Sequence, residues 1–252
     1  MGEHELLIVL FAYFLILATV FFDIKNGIGF WKDLLFSSFL SIIQLVGVGF
    51  VILFLLDLKQ ELINLLLTIL FFVNASLITL RRFQFTSYSK FKVFLTILFS
   101  ISIISTISLF VLYTVGILTL KANSIIPLAG IIAASGMRSL SLSFSYYKRR
   151  LKDVEDLILG MAALGANSVE IFKPIFRELI LDITTPVRDM FRSSGIVHIP
   201  GVMVGLLIAG VLPLKAAVIQ FAILSTMIFQ FTFVPAIAFY TLIKLYGIKI
   251  EG

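Results

Sequence analysis

The sequence predicts an all-α integral membrane protein with about seven transmembrane helices. Three observations carry this. Of 252 residues, 60% are hydrophobic and only 13% charged, against about 45–50% and about 25% in soluble chains. The apolar residues gather in long uncharged runs of the length that a membrane helix needs, about 20 residues. The basic residues fall between those runs on alternate sides, which is how cytoplasmic loops are marked.

The runs are Leu6–Phe22, Leu34–Leu56, Leu62–Leu80, Phe91–Leu120, a weaker Ser/Gly-rich Ser124–Ser145, then Gly195–Leu214 and Ala216–Tyr246. Each reads as a helix, because in lipid an isolated segment satisfies its backbone groups only by coiling on itself. A transmembrane β-barrel would show alternation over segments of about ten residues. The first run follows Glu3, His4 and Glu5 rather than a basic segment, so it reads as an anchor and not as a cleaved signal. Sixteen of the twenty Lys and Arg lie in one set of connections or at the run ends beside them and three in the other, with Arg138 alone deep inside a run. That asymmetry places the N-terminus outside and the C-terminus in the cytoplasm. It also turns the net charge of +6 into a topology signal, so no nucleic-acid partner is expected. The protein is expected to be a multi-pass resident of the inner (plasma) membrane, in contact with lipid.

The chain reads as one membrane domain, 1–252, with unlike halves. All six prolines lie beyond residue 120, together with most of the intramembrane glycines. Proline and glycine permit breaks and close helix packing in lipid. Spans 1–4 (1–120) therefore read as scaffold and spans 5–7 (124–246) as the moving part, with Pro200, Gly201, Gly205 and Gly210 as hinge or packing positions. Between the fifth and sixth runs lies 146–194, the only polar region of any size. Asn167 with Glu170 three residues on is a capping-box pattern, and Pro174 is expected to break the helix or open the next one. The expected product is a compact cytoplasmic knob around Gly160–Lys173, suited to a groove in a partner protein.

Residues with chemistry are few. There is no GxxxxGK[ST] phosphate loop, no cysteine, and only two histidines. The chain is not expected to be an enzyme, and any ATP hydrolysis belongs to another polypeptide. Arg138 is a functional candidate by its position alone, pairing between helices or meeting an anionic substrate. Ser135, Ser139 and Ser143 share one helix face, either lining a pathway or bonding between packed helices. Met137, Met190 and Met203 are thioether candidates, Met203 also for the pathway, and His198 is the one imidazole placed as a possible metal ligand. Gln44, Asn74, Gln220 and Gln230 read as helix glue.

The string Ala162-Ala163-Leu164-Gly165-Ala166, followed by Glu170 and Ile171, resembles the coupling loop of ABC-transporter membrane subunits. The segment Gly195-Ile196-Val197-His198-Ile199-Pro200-Gly201 through Gly205 to Gly210 resembles the FetB/YbbM-type permease family of bacterial ABC transporters. Met137–Leu142 lies where that family has a polar fifth span. The resemblance covers about 124–245, and the first 120 residues only by helix number. It implies a permease homodimer that exports metal, chiefly iron, with two copies of a separate ATPase subunit. It implies no cofactor in this chain, ATP and magnesium being held by the partner. By this resemblance Ala162, Ala163, Gly165, Ala166 and Glu170 engage the ATPase. A plant branch linked to aluminium tolerance and to a nucleotide sugar keeps the cargo open. Val204, Leu206 and His198 stand where the family often has Thr, Gln and Ser. The competing expectation is a non-transport module that recruits a cytoplasmic partner through 146–194.

Overall fold

The computed structural model describes residues 3–58, 60–83 and 88–248; Lys59, one of the three basic residues of the minor set, and Lys249, one of the sixteen, lie outside them. Among the described residues the chain is helical and has no strand. The helices are α1 (Glu3–Asn26), α2 (Trp31–Leu58), α3 (Glu61–Arg82), α4 (Lys90–Thr114), α5 (Ala122–Asp153), α6 (Glu155–Ala163), α7 (Ser168–Ser193), α8 (Gly201–Ile208) and α9 (Pro213–Tyr246). The chain forms two compact units, Met1–Lys59 and Gln60–Gly252.

The first unit is a helical hairpin. The buried Asp23 carboxylate accepts from the backbone N–H of Gly29 at 2.9 Å and of Trp31 at 2.6 Å. It thus supplies acceptors at the start of α2, where helical N–H groups lack intrahelical partners.

In the second unit α5 lies at the centre, packed on α3, α4, α7 and α9. The core is aliphatic at mid-height, with Ile97, Ile101, Ile132, Leu140, Ile183 and Val234 all buried. A polar node sits within it. Gln230 donates to the hydroxyls of Ser105 and Ser108 at 3.4 and 3.2 Å. A Cβ at position 136 would stand 3.1 Å from the Gln230 amide oxygen, so Gly136 is what lets α5 and α9 close here. The tails of α3, α5 and α9 meet the start of α7 in an aromatic cluster. Phe83 packs on Phe144 at 4.9 Å, Tyr147 on Phe239 at 4.9 Å, and Phe172 on Tyr147, Phe239 and Tyr240 at 5.6–5.7 Å.

Six described helices are long and apolar enough to cross a membrane: Leu7–Asn26, Trp31–Leu56, Glu61–Arg82, Lys90–Thr114, Ala122–Leu151 and Pro213–Tyr246. The expected span Gly195–Leu214 is not among them. It folds as a turn, the 8-residue α8, and a second turn with Gly210 at φ +80°. Eight residues reach only about 12 Å. Pro200 stands before the helix and cannot extend it backwards, while Gly210 closes it at the other end.

The stretch before it also differs from expectation. Pro174 breaks nothing: α7 runs 26 residues straight through Pro174 and Pro186. A proline removes one backbone donor and crowds the preceding turn. Before Pro186, side chains add bonds to carbonyls five and six residues upstream of it. The Thr184 hydroxyl donates to the Ile180 carbonyl at 2.7 Å, the Thr185 hydroxyl to the Leu181 carbonyl at 2.9 Å, and Arg188 reaches back to that same Leu181 carbonyl at 2.7 Å. Moreover α7 lies antiparallel to α9. Phe172 touches Phe239 and Tyr240, and Phe191 meets Phe221 at 6.0 Å. The 19 residues between those contacts cover about 28 Å. The expected knob around Gly160–Lys173 is therefore divided between α6 with its turn and the first residues of α7. Only α6 and the turn after it stand apart, and α7 belongs to the bundle.

Candidate functional site

Helix α7 has two faces of opposite character. Ile171, Ile175, Leu179, Ile183 and Val187 are buried, at steps of four. Glu178, Asp182, Thr185, Asp189 and Arg192 are exposed, at steps of four, three, four and three, which make a second stripe along one side of a helix. Glu178, Asp182 and Thr185 of that stripe face α5, on which Arg138, Ser145 and Arg149 are also exposed and Ser141 is half-buried. Arg150 of α5 pairs with Glu178 of α7.

Two cavities open between these faces. A cavity of about 460 Å³ is lined by Tyr146, Arg149, Arg150, Asp153, Leu179, Asp182, Thr185 and Pro186. A second, of about 500 Å³, is lined by Ile78 and Arg82 of α3, Met137, Arg138, Ser141, Leu142 and Ser145 of α5, Pro186, Val187 and Met190 of α7, and Met227 and Phe231 of α9. Both contain Pro186, so they adjoin. Arg138 sits 16 residues into α5, about 24 Å from its start, which puts the second cavity at mid-height of the bundle. The first lies toward the end of α5. The arrangement is a stepped recess, mixed in charge sign at one end and largely apolar with two arginines deeper in.

The α6 turn is built as its pattern predicts. The Asn167 side chain accepts from the N–H groups of Val169 and Glu170, both at 3.0 Å, and Glu170 accepts from the Asn167 N–H at 2.8 Å. This complete capping box starts α7 sharply. Ala162, Ala163 and Gly165 are exposed, and Ala166 is half-buried. Leu164 at the tip is 90% exposed, an apolar side chain in position for a partner. Gly165 adopts φ +90°, a conformation that side chains with a Cβ rarely take.

The remaining expected site residues are dispersed. Ser135, Ser139 and Ser143 are buried on the opposite face of α5, where Ser135 and Ser143 donate to their own helix and Ser139 to the Gln230 carbonyl at 3.4 Å. They line neither polar cavity. Met203 lies in α8, its N–H donating to the buried Gln220 amide oxygen at 3.1 Å; Gln220 thereby acts as helix glue, as Gln230 does, whereas Gln44 and Asn74 are exposed. Pro200 is buried, and Gly201, Gly205 and Gly210 have open space around them. His198 is exposed in the turn before α8, where its carbonyl accepts from the Gly195 N–H at 2.9 Å. Among the described residues no three His, Cys, Asp or Glu come together as a metal site. Sequence reasoning missed Arg82, Arg150, Glu178, Asp182 and Met227. The signal for the two acids was present as the charged stripe in 178–192, masked by assigning the whole of 146–194 to the cytoplasmic side.

Fold and recess together define a multi-pass helical membrane protein with a charge-lined recess along one side of its bundle. The chain belongs to the uncharacterised protein family UPF0014, whose model matches residues 6–246. It is similar to the probable iron export permease protein FetB of Escherichia coli K12, 27% identical over 85% of this chain and 83% of that one. It is similar also to the protein ALUMINUM SENSITIVE 3 of Arabidopsis thaliana, 24% identical over 86% and 78%. The UPF0014 membrane protein YjkA of Bacillus subtilis is 22% identical over 84% and 83%. No solved structure matches the chain.

Proposed function

We propose that this chain is the membrane permease subunit of an ABC transporter that exports metal ions, iron foremost, on ATP hydrolysed by a separate subunit. The observation that carries the reading is the charged face of α7, held beside α9 for about 28 Å, close to the roughly 30 Å of a bilayer's hydrocarbon core. Charges at that depth face a water-filled path or a partner, not lipid. With α7 as a crossing, the spans number seven: α1, α2, α3, α4, α5, α7 and α9. An odd number keeps the N-terminus outside and the C-terminus in the cytoplasm. The polar recess then opens toward the cytoplasm, and a second copy of the chain closes it into a pathway across a homodimer in the plasma membrane. Iron comes to this reading from the printed description of the Escherichia coli relative.

The α6 turn is the coupling element. Ala162, Ala163, Leu164, Gly165 and Ala166 dock on the ATPase, and ATP and magnesium act there rather than in this chain. Glu170 holds the turn rigidly to α7. Phe172, one turn from the cap, is locked into the aromatic cluster with α5 and α9, so displacement of the turn tilts α7 against both. Alternating access follows as rocking of α7 around Pro186. His198, Pro200, Met203 and the glycines of 201–210 form the outer closure, with His198 as an outer metal ligand.

The test is whether the tagged protein, purified in mild detergent, carries an ABC ATPase from its own cell. A stoichiometric ATPase supports the reading, and an unrelated cytoplasmic partner replaces it with a recruitment module. Gly165→Val, which forces a β-branched residue to φ +90°, is expected to abolish transport-coupled ATP turnover in liposomes while membrane insertion stays normal. Normal coupled transport by that variant removes the turn from the mechanism.

A further inference from the structure

We infer that the deeper cavity, lined by α3, α5, α7 and α9, binds an anionic, oxygen-bearing group, so that metal crossing it travels as an anionic complex and not as a bare cation. This rests on the transport reading above. Among the described residues, the only charged ones lining the cavity are Arg82 and Arg138. Both are exposed, and among the described residues neither has a hydrogen bond or an ion pair. The acids nearby lie on the adjoining cytoplasmic side: Asp182 lines the other cavity, and Glu178 is already held by Arg150.

A bare divalent ion would enter a space with two guanidinium groups and no carboxylate. Among the described residues its only side-chain donors there are the hydroxyls of Ser141 and Ser145 and the thioethers of Met137, Met190 and Met227, and thioethers favour copper over iron. A carboxylate or phosphate group reverses the balance. Guanidinium forks bind such groups with two parallel hydrogen bonds, hydroxyls add donors, and methionines adapt to the organic skeleton behind them. An anionic lipid headgroup offers the same oxygens. The shared border at Pro186 with the mixed-charge cytoplasmic cavity gives an aqueous route, and this favours a soluble anion.

The test is calorimetric titration of the full chain in phosphatidylcholine nanodiscs with citrate, ferric citrate and ferrous ion. Citrate and ferric citrate are expected to bind. Arg138→Gln and Arg82→Gln should each weaken that binding at least tenfold, Arg138→Lys by less, and Lys215→Gln, outside the cavity, not at all. Arg138→Lys keeps the charge and guards against a merely misfolded variant. Three results overturn the inference: no anion binding to the native chain; anion binding unchanged in the Arg82/Arg138 double variant; or ferrous ion binding that Arg138→Gln tightens. Loss of citrate binding when phosphatidylglycerol is added to the discs assigns the cavity to lipid and overturns it likewise. The assay contains no ATPase, so failure to find an ATPase partner strikes the permease reading and leaves this result standing.

Discussion

Residues 168–193 and 195–214 are neighbours whose composition and placement run opposite ways. The first stretch carries acids, bases and two prolines, yet it forms one helix that follows α9 for most of its length. The second has no charged side chain and looks like a span, yet it yields a helix of eight residues with none buried. Hydropathy reports what a segment can tolerate around it. Continuity of the backbone decides whether it can reach across, and neighbouring helices decide whether a charged face has somewhere to point.

The sharpest way to break that comparison uses the absence of native cysteine. Single cysteines at Leu164 and Ile196, which are 90% and 88% exposed, bracket α7. On intact cells a membrane-impermeant maleimide is expected to label Ile196→Cys fully and Leu164→Cys only after the membrane is opened. Labelling of both from the same side would falsify α7 as a crossing.

Smaller effects sharpen the contrast. Ile183 is fully buried, so Ile183→Ala should destabilise the bundle by about 1–3 kcal/mol. That is the cavity part of a core truncation, because lipid tails are as apolar as the side chain removed. Asn167→Ala removes the capping acceptor of α7 and should cost about 1 kcal/mol. Ile208→Ala, in an α8 without buried residues, should stay within about 0.5 kcal/mol. Detergent unfolding followed by circular dichroism ranks the three, and an α8 change as large as the α7 change would mean that α8 is packed after all.

Part of the site was readable from residue order. The Asn167/Glu170 pair is a short-range pattern, and its capping box is present in full. Arg138 stood out because a lone cation in an apolar run has few explanations, and it does line a cavity. The serines show the limit. Their spacing placed Ser135, Ser139 and Ser143 on one face, but periodicity does not say which face meets the core. That depended on Gly136 and Gln230, 94 positions apart, closing α5 on α9. The cavity arginine Arg82 ends α3 and looked like an ordinary topology marker until α5 and α7 came beside it.

The sequence by itself determined that this chain lives in a membrane as helices, because apolar runs of that length leave no other way to satisfy the backbone. It also determined where α7 begins, since a capping box is complete within four residues. Only the tertiary structure decided which polar residues face one another. A charged stripe at steps of three and four is compatible with a surface loop helix or with a pathway wall. The pairing of α7 with α9, made by Phe172, Phe191 and their distant ring partners, placed the helix against the bundle.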